Sequence, residues 1–90
     1  MTYNGWANWE TWTAYNWLSN DEGSDTYARE TVSMTRYGAD AGATLRDAVE
    51  ELWAVPTDGP VADFVRSSLD EIDWDELAAS FAAEEDEVEA

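Results

Sequence analysis

The stretch NGWANWETW, Asn4 to Trp12, sets three tryptophans (Trp6, Trp9 and Trp12) three residues apart, and Trp17 soon follows. So much indole surface in one short segment is either a binding platform or a core, and the choice decides how the remaining chain packs. Asn8 suits a helix N-cap, Glu10 falls in the first turn where the dipole favours an anion, and Asn20 follows the last apolar residue, Leu18. On that helix Trp9, Trp12 and Asn16 share one face, Trp17 leans to one side, and Tyr15 and Leu18 lie opposite. A helix apolar on most sides is a buried one, and Glu10 is the only charged side chain between Met1 and Asn20. The expectation is therefore a core hub, with Asn4-Gly5 turning the chain into it. An indole edge at the surface is compatible with that reading, because tryptophan is rarely buried whole.

Working outward, Asp21-Glu22-Gly23 reads as a loop, and Ser24 or Asp25 caps a second helix running to about Tyr37. Its stripe is weak (Tyr27, Thr31 or Val32, and Met34), and Gly38 suits a C′ position. The third helix, about Asp40 to Val55, is clearest: Ala41, Leu45, Ala48, Val49, Leu52 and Trp53 keep helical spacing until Pro56 stops it. Pro60 at a first helical position opens a fourth, about Pro60 to Glu71, striped by Val61, Phe64, Val65, Leu69 and Ile72. Asp73 and Glu76 form a capping box for a fifth that presents Trp74, Leu77 and Phe81. The run EEDEVEA has little to bury and reads as a frayed acidic tail. The expected architecture is all-α: about five short helices in one domain over residues 1–83, then a disordered tail over residues 84–90. The core list is Trp6, Trp9, Trp12, Trp17, Trp53, Phe64, Trp74 and Phe81.

Composition narrows the chemistry. The chain of 90 residues carries 21 Asp and Glu against four arginines, a formal charge of −17, with no lysine, histidine or cysteine. Disulfides and thiolate or imidazole metal sites are excluded, and so are nucleophiles activated by histidine. Only carboxylates could do acid–base work, so the expectation is a protein without catalysis, metal or cofactor. Asp73-x-Asp75 starts like a calcium loop but lacks the glycine, with Ala78 at the sixth position and Glu84 at the twelfth. No apolar run nears the roughly 18 residues of a membrane span, and no signal-peptide pattern opens the chain, so a cytoplasmic protein is expected.

The stretch YNGWANWETWTAYNWLSNDEG, Tyr3 to Gly23, resembles the opening of a family of small proteins encoded on phages, plasmids and other mobile elements. Its members open with Asn-Gly-Trp-x-Asn-aromatic-Glu-Thr-Trp. A second element, Asp-Trp-x-Glu-hydrophobic, reads here Asp73, Trp74, Asp75, Glu76, Leu77. The resemblance implies a mobile-element origin and no particular activity.

Two readings of the acidity stand side by side. One is solvent adaptation, as in proteins of salt-saturated cytoplasms, which carry acidic surfaces and little lysine. It fits a mobile-element accessory or structural protein. The other is mimicry of nucleic acid. Phosphates repeat about every 3.4 Å along a strand, and carboxylates four apart on a helix repeat at about 6 Å. Asp40, Asp47 and Glu51 share a face of the third helix, with Glu50 adjacent; Asp63 and Asp70 share one on the fourth, and Glu71, Asp73, Asp75 and Glu76 continue the run. Such a surface suits the basic groove of a host nucleic-acid-binding protein, as an inhibitor of CRISPR or restriction machinery would. Four arginines against 21 acids argue against direct nucleic-acid binding. Nothing points to a membrane partner or to homo-oligomers.

Overall fold

Asn4 and Gly5 both adopt the left-handed conformation (φ 50° and 88°), the geometry of a two-residue type I′ turn. Tyr3 and Trp6 close it with paired backbone bonds of 2.6 and 2.8 Å. A computed structural model describes residues 3–35 and 40–89, with side chains as far as residue 83. Five helices follow the turn, α1 (Trp9–Asn20), α2 (Glu22–Met34), α3 (Ala41–Leu52), α4 (Pro60–Glu71) and α5 (Trp74–Glu89). The chain is all-α; apart from the Tyr3–Trp6 bridge, no strand occurs among the described residues.

Helix starts follow side chains that satisfy the free N–H groups of a first turn. Asn8 Oδ1 accepts from Thr11 N–H at 2.9 Å, Asp40 Oδ1 from Ala43 N–H at 3.2 Å, and Asp73 Oδ1 from Glu76 N–H at 3.1 Å. The second start differs from expectation. Asp21, the one residue between α1 and α2, accepts the Ser24 hydroxyl at 2.7 Å and its N–H at 3.0 Å. Glu22 and Gly23 are thereby helical, and the cap is Asp21 rather than Ser24 or Asp25. The same two bonds, the hydroxyl first, hold the Asp21 carboxyl below its usual pKa. α2 ends at Met34, and the expected Gly38 cap lies outside the described residues.

α3 stops at Leu52, short of Val55, because Ala54 turns left-handed at φ 52°. Val55 N–H then reaches Glu50 C=O at 3.0 Å and Ala54 N–H reaches Glu51 C=O at 3.2 Å, a Schellman closure with alanine where glycine is usual. α4 runs as expected. α5 continues in its backbone to Glu89, across the segment expected to fray. No glycine or proline follows Pro60, and Ala78, Ala79, Ala82 and Ala83 are strong helix formers.

The core lies among α2, α3 and α5, with α1 laid across α2. Leu18, Leu45, Leu77 and Phe81 are fully buried, joined by Val32, Val49, Leu69 and Trp74. Gly42 permits the closest approach: a Cβ there would sit 3.1 Å from Asp75 N and 3.2 Å from the Trp74 carbonyl carbon. Trp74 and Phe81 are interior, as expected. Trp6 is half-buried against Tyr15 (ring centroids 4.7 Å), which meets Phe81 at 5.6 Å, and half-buried Trp12 meets Tyr3 at 5.1 Å.

The remaining aromatic expectation is corrected. Trp9 is 52% exposed, Trp17 70%, Trp53 38% and Phe64 75%. α1 turns inward a face made of Thr11, Ala14 and Leu18, with Tyr15 beside it. Small residues there let helices approach to the usual 8–10 Å, which a row of indoles would prevent.

One polar knot fixes α1. The wholly buried Thr11 hydroxyl donates to Asn8 Oδ1 at 2.6 Å and accepts from Asp73 N–H at 2.8 Å. Asn8 Nδ2 donates to the Glu71 carbonyl, and Ala7 N–H donates to Glu76 Oε1 at 2.9 Å. The capping box expected at Asp73 and Glu76 is therefore half-formed. Asp73 caps α5, but Glu76 reaches across to the opening turn instead of back to Asp73.

Thr11→Val keeps the shape and removes the hydroxyl, leaving Asp73 N–H and Asn8 without it. It is expected to cost about 1–3 kcal/mol in denaturant unfolding, whereas Trp17→Ala stays within roughly 0.5 kcal/mol. Ala54→Gly relieves the left-handed strain and should raise stability by about 1 kcal/mol, read in the same titration.

Candidate protein-binding surface

The four displaced aromatics converge. Trp9, Thr13 and Trp17 succeed one another at four-residue intervals along α1, so they stack on one side of it. Phe64 and Ser68, with Val65, Leu69 and Ile72, give α4 and the residue after it a facing wall. Trp53 closes one edge, placed by the Schellman turn that ends α3. The result is an open cleft of about 320 Å³ whose lining is overwhelmingly apolar. Among the described residues, Glu10 is the only acidic or basic side chain in its lining, and the Thr13 hydroxyl in its wall has no hydrogen-bond partner.

α4 owes its open face to sparse packing. Ala62 and Leu69 are buried, yet Val61 and Phe64 on the same stripe are 64% and 75% exposed. Among the described helices, its backbone lies close only to α1. Its link to α3 is ionic: Arg46 of α3 bonds Asp70 at 2.8 Å, and Arg66 of α4 reaches Glu50 at 3.2 Å, a carboxylate that Arg46 also approaches from within α3, at 3.6 Å. Arg29 pairs with Asp25 at 2.9 Å. All three described arginines are thus engaged with the protein's own carboxylates; Arg36 lies outside the described residues.

The ten carboxylates singled out from the sequence divide by what they touch. Asp40 and Asp73 cap helices, Glu50 and Asp70 hold arginines, and Glu76 holds the opening turn. Asp75 lies against Gly42 at the α3–α5 contact. Asp47, Glu51, Asp63 and Glu71 are exposed, and their carboxylates make no hydrogen bond or ion pair among the described residues. Three of the α3 and α4 acids expected to form one array are thus engaged locally, while the rest stand free.

Sequence reasoning missed the cleft because it placed Trp9, Trp17, Trp53 and Phe64 inside. The available signal was the competing stripe Thr11, Ala14 and Leu18, which keeps helical spacing just as well. Among the described residues, no group of acidic side chains could hold a metal ion, and no helix is long and apolar enough to cross a membrane.

A family model described as a family of unknown function (DUF7249) matches residues 1–90. No curated protein and no solved structure matches the chain.

With 21 acids against four arginines, self-repulsion is expected to be the largest electrostatic effect on stability. Screening shortens its reach from about 30 Å at 0.01 M salt to about 3 Å at 1 M. The thermal midpoint followed by circular dichroism should therefore rise across that range of sodium chloride, although the Arg46 and Arg66 pairs weaken.

Proposed function

The chain belongs to DUF7249, a family of unknown function, and we propose that it acts without catalysis, by binding a basic protein in place of nucleic acid. The observation that carries this reading is the unmatched charge. At a net −17, every described arginine is engaged within the fold, and Asp47, Glu51, Asp63 and Glu71 face solvent unpaired. Carboxylates on rigid helices form a fixed array, and a groove built for phosphates gains from it as it does from DNA, by releasing condensed counterions. The mobile-element resemblance of the opening motif supports a role against host defence, with CRISPR or restriction complexes as the class of target. The host cell's cytoplasm would be the place of action.

Charge placement separates this function from solvent adaptation, which needs only the number of acids. Asp47→Asn with Glu51→Asn, and Asp63→Asn with Glu71→Asn, remove charges that do no structural work in the described fold. Each pair should weaken binding to a target isolated by affinity purification from the host. Binding should fall steeply between about 50 and 200 mM salt and yield to competing DNA or RNA. A target that ignores salt, nucleic acid and both pairs would overturn mimicry and leave the acidity as adaptation to solvent.

A further inference from the structure

We infer that the cleft between α1 and α4 is a second docking site, and that it receives a short cationic amphipathic helix of a partner protein. The inference stands on the cleft's shape and chemistry, and it survives if the acidic surface proves to be solvent adaptation alone. Trp9, Trp17, Trp53 and Phe64 give it large, rigid rings that are partly or mostly exposed, and aromatic side chains are among those that most often dominate binding energy in protein interfaces. From Trp9 to Trp17 the α1 wall is about 12 Å long, a little over two turns, which matches two or three apolar anchors spaced three or four residues apart on a partner helix.

Charge selects among the occupants an apolar cleft could take. A second copy of this chain would bring another −17 to the contact, and an anionic membrane or a nucleic acid would be repelled in the same way. A small neutral ligand would be poorly enclosed, since Trp17 and Phe64 are 70% and 75% exposed at the walls, whereas ligand pockets cover most of the molecule they hold. A segment with leucine or phenylalanine anchors flanked by arginine satisfies both features. Its apolar face fills the cleft, while its guanidinium groups meet Glu10 at the lining and the exposed indole faces, drawn in by the net charge of −17.

The test uses the full chain and synthetic helical peptides of about 18 residues, with binding read by calorimetry and by tryptophan fluorescence. A leucine–arginine peptide with one apolar face should bind, and Trp17→Ala and Phe64→Ala should each weaken it roughly tenfold or more. Both positions are exposed and lie on different helices, and an unchanged circular dichroism melt certifies each variant as folded. Asp47→Asn with Glu51→Asn, outside the cleft lining, should reduce affinity far less. Three outcomes overturn the inference: affinity indifferent to both aromatic variants, which means the acidic surface alone holds the peptide; equal binding of a leucine–glutamate peptide with the same apolar face; or a free protein that sediments as a dimer and is dissociated by Trp17→Ala. Loss of the nucleic-acid competition described above, with this peptide result intact, would remove mimicry and leave the docking site.

Discussion

The fold depends on one buried hydroxyl. Thr11 sits on the inner face of α1 with no solvent contact, and its oxygen is bonded at once to Asn8, the cap of its own helix, and to Asp73 N–H, at the start of α5. A hydroxyl buried without partners would be costly, so the position is tolerable only when both are in place. That requirement sets the register of α1 against the α4–α5 junction. Asn8 reaching the Glu71 carbonyl and Ala7 reaching Glu76 complete the same seam. The two sequence elements separated by some sixty residues, NGWANWETW and DWDEL, are the two sides of that contact.

The register decides which side of α1 faces in, and with it the fate of the indoles. With Thr11, Ala14 and Leu18 inward, Trp9 and Trp17 must point away, towards α4. α4 is held by Leu69, by its ion pairs to α3 and by the Trp74 indole, which donates to the Leu69 carbonyl at 3.0 Å. These attachments are too few to draw Phe64 and Val61 out of solvent. The exposed aromatic surface is thus a consequence of a polar constraint elsewhere in the fold. Exposed apolar patches of that kind are a common feature of interaction sites.

The acidity divides along similar lines. Caps and ion pairs draw on Asp21, Asp40, Asp73, Glu50 and Asp70, each of which satisfies backbone N–H groups or an arginine. Those carboxylates are part of the architecture and are poorly free to serve a partner. Asp47, Glu51, Asp63 and Glu71 have no such role among the described residues, and it is their charge that the proposed mimicry would use.

By itself the sequence determined the class, the number of helices and most of their starts. Those are local matters: Asn8, Asp40, Pro60 and Asp73 act within a turn of where they stand, whereas the end of α3 fell at Leu52, ahead of Pro56, because Ala54 turned left-handed. The Asn4-Gly5 turn was legible for the same reason, since only a few residue pairs accept left-handed backbone at both positions. Only the tertiary structure decided which face of α1 is buried. Its apolar residues surround the helix, so two stripes satisfied the same periodicity, and the choice fell to Thr11 finding Asp73 across the fold. Local pattern reads a threonine as neutral and a tryptophan as core. The packed chain reverses both, because one buried hydrogen bond needs an exact partner while an indole tolerates a surface. The division of carboxylates into structural and free was likewise hidden, since it depends on where Arg46 and Arg66 on neighbouring helices can reach.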